Sequence, residues 1–127
     1  MSNNDRFRFR IPMYSKYEER FTQFIYTDVY HEPLGFIGSA IFKTPEQCTG
    51  LKDKNGKLIW EGDIVKFYNW TFDEEQIGKV QFVEQDALYG IFINSRAYRP
   101  FSNLPTEEDC EIIGNIHENP ELLGAKK

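Results

Sequence analysis

The 127-residue chain contains no apolar run approaching the roughly 20 residues that a membrane-spanning helix requires, so no such helix is expected. Its amino terminus, "MSNNDRFRFR", is polar and charged where a secretory signal would carry an apolar stretch, and a cytoplasmic location with no membrane partner is expected. Cysteine is scarce. Cys48 and Cys110 stand far apart and do not form the framework of a disulfide-stapled secreted domain, so both are expected to be reduced and buried. Histidine is equally sparse: His31, His117 and the two cysteines show no C-x-x-C or H-x-x-x-H spacing, and no metal is expected. Neither histidine sits in a motif with a nucleophile, and no G-x-x-x-x-G-K-[ST] phosphate loop can be laid on the chain. These absences argue against an enzyme and against any cofactor. Internal repeats, low-complexity tracts and domain linkers are missing too, so one domain over 1–127 is expected.

What is present is aromatic. Apolar residues make up 40% and aromatic residues 16%, with eleven Phe and seven Tyr, side chains that favour half-buried pleated strands over helices. The negative mean hydropathy reflects 28% charge on a surface and not disorder. The net charge of −5 would repel nucleic acid and anionic membranes unless the charge is polarised. It is polarised: residues 1–20 carry Arg6, Arg8, Arg10, Lys16 and Arg20 against Asp5, Glu18 and Glu19, whereas Thr106 to Glu121 is acidic without Lys or Arg. Such asymmetry fits either head-to-tail association of subunits or solvated faces of opposite sign.

Along the chain, "RFRFRI" alternates strictly, placing Arg6, Arg8 and Arg10 on one face and Phe7, Phe9 and Ile11 on the other, with Pro12 ending the strand. "YSKYEER" reads as a turn or a short helix, Phe21 to Tyr30 as a second strand, and "FIGSAIF" as a third apolar run, with Gly35 and Gly38 suggesting a bend or a close backbone approach. Later, "TFDEEQIG" reads as a polar loop, "KVQFV" as a strand with Val80 and Phe82 on one face, Leu88 to Ile93 as another strand, and "NSRAYRPFSNLP" as irregular. "TEED" begins like a capping box and predicts one helical turn before a last strand at Glu111 to Ile116. Glu107, Glu108 and Asp109 could act as paired carboxylates, but an acidic helix start needs no substrate to explain it. In "ENPELLG", Asn119 is expected to cap, Pro120 to take the first helical position and Gly124 to stop a very short helix.

"TGLKDKNGKLIWEGDIVKF", residues 49–67, reads as turn, strand, turn, strand. Asp53 suits the first position of a turn, Asn55 a bridge or left-handed conformation, and Gly56 a positive φ. A two-residue Asn-Gly loop and a type I turn with a glycine bulge both fit. Leu58 and Trp60 alternate with Lys57, Ile59 and Glu61, a second turn falls at Gly62, and Val65 and Phe67 share one face of the next strand. Short strands with turn signals every 8–12 residues or so predict a barrel or sandwich.

The run from Cys48 through "TGLKDKNGKLIWEGDIVKF", the "GKVQF" strand and the closing "EIIGNIHENPELL" resemble the YopX family of bacteriophage and prophage proteins. The residues carrying the resemblance include Thr49, Gly50, Asp53, Asn55, Gly56, Gly62, Asp63, Gly114 and Asn115, and the similarity extends over about 46–124. It implies a mainly β fold: a small SH3-like barrel over 45–127, preceded by β-rich strands over 1–44, with one or two very short helices. It implies no catalytic activity. The expectation is therefore a non-enzymatic, prophage-encoded module that forms homo-oligomers through its surplus aromatics, with a host or phage protein as a further partner. The alternative is a single-stranded nucleic-acid binder whose Arg6, Arg8 and Arg10 meet phosphates.

Overall fold

A computed structural model describes residues 8–28, 35–70, 72–93, 98–101 and 106–124. The chain is mainly β, with antiparallel sheets and two short helices. It divides into two compact units, Met1–Gly50 and Leu51–Lys127. Among the described residues no helix is long and apolar enough to cross a membrane.

In the first unit, β1 (Phe9–Ser15) pairs antiparallel with β2 (Phe21–Thr27). "YSKYEER" contributes the end of β1 and a tight turn in which Glu19 takes a φ of 53°. The bend expected at Gly38 is a full reversal: the run "FIGSAIF" forms a hairpin of β3 (Gly35–Ile37) and β4 (Ala40–Phe42), with Gly38 at φ 61°. The strand expected to run from Phe21 to Tyr30 ends at Thr27, with Asp28 in a bend, and residues 29 and 30 lie outside the described residues.

Pro12 does not end β1. On the side away from β2, β1 pairs first with β5 (Glu46–Lys52) at Phe9 and Arg10, then with β4 from Met13 to Ser15. Pro12 falls in the interval between these partners, and its carbonyl accepts from Lys43 N at 2.9 Å on that same side. The N–H that proline lacks therefore points where no ladder bond is required, which is how a proline persists inside a strand.

The second unit holds the five-stranded order β10–β9–β8–β7–β11. Its strands are β7 (Asp63–Asn69), β8 (Glu74–Val83), β9 (Leu88–Phe92), β10 (Tyr98–Pro100) and β11 (Cys110–Asn115). Leu51 and Lys52, the last residues of β5, lead through a turn into β6 (Leu58–Trp60). A four-residue helix, α1 (Thr106–Asp109), precedes β11, and α2 (Glu121–Gly124) follows it. The core gathers Ile59, Val65, Phe67, Val80, Ile91, Phe101 and Cys110. Val65 and Phe67 share a face as period-2 reading requires, while Ile59, between Leu58 and Trp60, is the β6 residue that enters this core.

Two segments read as irregular contain strand residues. β8 begins at Glu74, inside the expected polar loop, because Tyr68 and Asn69 pair with Glu75 and Glu74 across a tight hairpin. Asn69 Nδ2 donates to Gln76 Oε1 at 2.8 Å, so polar side chains themselves bridge this arm. β10 lies inside "NSRAYRPFSNLP" and pairs with β9. Phe82, two residues after Val80, stands opposite Tyr89 with its ring 5.1 Å from the tyrosine ring, and it remains exposed.

Candidate functional site

Most of the motif residues converge on backbone hydrogen bonds. In the turn after β5, Gly56 N donates to Asp53 O at 3.0 Å and Asp53 N to Lys57 O at 2.8 Å. Gly56 has φ 82°, while Asn55 is not among the positive-φ residues. The reversal is therefore a type I turn with Lys54 and Asn55 at its centre and a glycine bulge, not a two-residue Asn-Gly loop.

Asp53 is buried, and its carboxylate spans two parts of the chain. Oδ1 accepts from Asn55 N and Lys57 N, both at 2.9 Å, and Oδ2 accepts from Ile112 N at 3.0 Å. Lys54 N also donates to Cys110 O at 2.9 Å. The turn is thereby fastened to β11. A buried carboxylate with its oxygens occupied by N–H donors is stabilised where it stands and has little left to offer a substrate.

The next cluster works the same way. Asp63, also buried, accepts from Trp60 N at 2.8 Å and holds the reversal at Gly62, where φ is 87°. Gly62 N donates to Val80 O, and Gly62 O accepts from Ile116 N. Asn115 Oδ1 accepts from His117 N and Glu118 N, and its Nδ2 donates to Glu118 Oε1 at 2.8 Å. Asn119 does not use its side chain to cap α2: Oδ1 turns back to accept from Asn115 N at 3.3 Å. A Cβ at Gly114 would run into the Asn119 side chain as placed, which favours glycine there. Thr49 is buried, and Gly50, with φ 83°, donates its N–H to Cys48 Sγ at 3.4 Å.

Of the three arginines expected on a phosphate-facing row, Arg6 lies outside the described residues, Arg8 is exposed, and Arg10 is buried. The strict alternation fails at Arg10 because Glu46, thirty-six residues on, accepts from its Nε at 2.8 Å, and the Phe24 ring lies 4.0 Å from its guanidinium carbon. Desolvation is offset by a charge partner and a π face together.

β2 lines that face with aromatic rings. A bulge opposite Met13 and Tyr14 turns Phe21 onto the side of Phe24 and Tyr26, giving ring separations of 5.8 Å for Tyr14–Phe21, 4.8 Å for Phe21–Phe24 and 6.2 Å for Phe24–Tyr26.

Both cysteines are free and fully buried. Burial pushes the Cys110 thiol up to about 12, with Asp53, Asp63 and Asp109 adding to the rise. The unfolded chain releases this proton first, so the stability tied to the protonated thiol is fully present below about pH 9 and is lost as pH rises toward about 12. Cys110→Ala is expected to flatten that alkaline loss in urea-unfolding midpoints measured across the window. An unchanged slope would show that the thiol carries none of it.

Among the described residues no three His, Cys, Asp or Glu side chains gather as metal ligands. His31 lies outside them. What sequence reasoning missed is at the β7–β8 hairpin and α1: Trp70 and Phe72 are 65% and 67% exposed, and Trp70 Nε1 donates to Asp109 Oδ2 at 3.0 Å. The available signal was two large aromatics beside "DEE", a combination no amphipathic face explains.

No curated protein matches the chain. A family model described as YopX protein matches residues 6–124, nearly its whole length, and includes all of the turn and bulge residues whose geometry is given above. The chain belongs to the YopX family.

Proposed function

We propose that the chain is a non-enzymatic interaction module that associates with further copies of itself through the aromatic side of β2. We read its second unit as a small SH3-like barrel and its setting as cytoplasmic and prophage-encoded, as the resemblance implies. The observation that carries the reading is β2 itself. "FTQFIYT" has no charged residue and none that is buried, while Tyr26 is 56% exposed and Tyr17, in the turn that leads into β2, is 79% exposed. Natural sheets protect exposed apolar strands with charge, proline or a partner, and β2 has neither charge nor proline. The structural work done by Asp53, Asp63 and Asn115 supports the non-enzymatic half, since these polar groups are taken up by backbone amides.

Size-exclusion chromatography with light scattering is expected to give a dimer or larger species at tens of micromolar. Tyr26→Glu is expected to shift it to monomer, because a stable pair must bury roughly 1,200–2,000 Å² in total and a carboxylate inside that area is heavily penalised. A wild-type monomer at that concentration overturns the reading. Nucleic-acid binding ranks second because Arg10 is already committed to Glu46.

A further inference from the structure

We propose that the exposed end of the β7–β8 hairpin, with α1 beside it, is a docking surface for a lysine- and arginine-rich segment of a partner protein. The surface has an aromatic centre and an acidic rim. Trp70 is not loosely placed: its ring meets Tyr68 at 4.4 Å and 66°, and its N–H is held by Asp109, yet 65% of the residue stays in solvent. Phe72, 67% exposed, follows in the turn, where Phe72 N donates to Asn69 O at 3.2 Å. An indole fixed on one edge and open on its remaining surface has already lost the freedom that binding would remove, as in the aromatic anchors that dominate interfaces.

The hairpin carries Asp73, Glu74 and Glu75 just after Phe72, and α1 carries Glu107, Glu108 and Asp109. The Tyr68–Glu75 and Asn69–Glu74 pairings fix two of them on the hairpin, and the Trp70–Asp109 bond brings α1 alongside. No ion pair among the described residues engages any of the six, whereas Glu18, Glu46 and Glu111 are each paired with a basic side chain. Residues 1–50 carry six acidic and six basic side chains, and residues 51–127 carry fourteen and nine, so the net −5 falls in the unit that bears this surface.

A solvated acidic face would account for the carboxylates but not for a rigid exposed Trp with a Phe two residues on. Charge selects the occupant. Nucleic acid and anionic lipid are repelled, and a second copy of the same surface would set carboxylate against carboxylate. A cationic segment meets the rim with its charges and can lay a guanidinium or aliphatic stem on Trp70. This surface is distinct from β2, and the inference does not depend on self-association.

The test uses the full chain and a labelled deca-arginine peptide at low salt, read by fluorescence anisotropy. Expected is saturable binding that weakens as salt rises. Trp70→Ala with Phe72→Ala should weaken it about ten-fold, as should Glu74→Lys with Glu75→Lys. Glu84→Lys with Asp86→Lys, the same charge change elsewhere in the unit, should change it less than about two-fold. Because the substituted side chains are exposed, thermal unfolding should stay near wild type. Equal weakening by both charge-reversed pairs, or no effect of the aromatic pair, overturns the proposal. So does dimerisation lost in Trp70→Ala, or binding of a labelled oligonucleotide at this end.

Discussion

Replacing Asp53 by alanine is expected to lower the stability of the second unit by about 3–5 kcal/mol, read as a fall in the urea midpoint. Three backbone N–H groups, of Asn55, Lys57 and Ile112, lose their acceptor at once. Each buried donor left without a partner costs on the order of 1–3 kcal/mol, and partial hydration of the two turn amides keeps the sum below the upper limit. Asp53→Asn separates the local role from the distant one. It retains one oxygen for the turn but presents an NH₂ where Oδ2 received Ile112 N–H, so about 2 kcal/mol of the loss should remain. A drop under about 1 kcal/mol for Asp53→Ala would mean that the carboxylate does not tie the turn to β11.

Gly78→Ala should be at least as damaging, by about 3 kcal/mol or more, because there is no room for the methyl group. A Cβ there would lie 2.5 Å from Ile91 Cγ2 and 2.7 Å from the Phe92 carbonyl oxygen. A side chain can rotate aside, but the carbonyl belongs to the strand paired with β8, so relief requires β8 and β9 to separate. Gly56→Ala is the comparison. Nothing lies within 4 Å of its Cβ position, and only the φ of 82° resists substitution, at about 1–2 kcal/mol. Amide hydrogen exchange should show β8 and β9 losing protection in Gly78→Ala and keeping it in Gly56→Ala. Similar midpoints for the two variants would contradict the close approach of these backbones.

The contrast between those glycines also shows which parts of the molecule are legible in its letters. Turn chemistry is local: Asp53, Asn55 and Gly56 specify a reversal with reference only to one another, and Gly62–Asp63 does the same. The choice between two hairpin geometries was not legible, because it depends on whether Asn55 must adopt positive φ. Distant partners decided the rest. Arg10 looks like a solvent-facing residue until Glu46 and Phe24 are placed beside it, and Pro12 looks like a stop until β1 changes neighbours at that residue. "DEEQ" has the composition of a loop, and only its pairing with the end of β7 makes it a strand.

The candidate surface was hidden for a related reason. Reading apolar residues as core works for Val65, Phe67, Val80 and Ile91, and it fails for Trp70, Phe72 and Phe82, which stay exposed. The letters give the polarity of a side chain and its face, but not how far the covering structure extends over that face.

The fastening of the Asp53 turn to β11 sets an order of events during translation. The donor at Ile112 lies 59 residues downstream of Asp53, which at roughly 5–20 residues per second is a delay of about 3–12 s. From the completion of β7 until β11 follows it, the nascent polypeptide displays β7 without the neighbour that will finally cover its flank, a state suited to ribosome-associated chaperones. A premature stop codon before Cys110 would make that state permanent and leave a fragment fit for proteolysis.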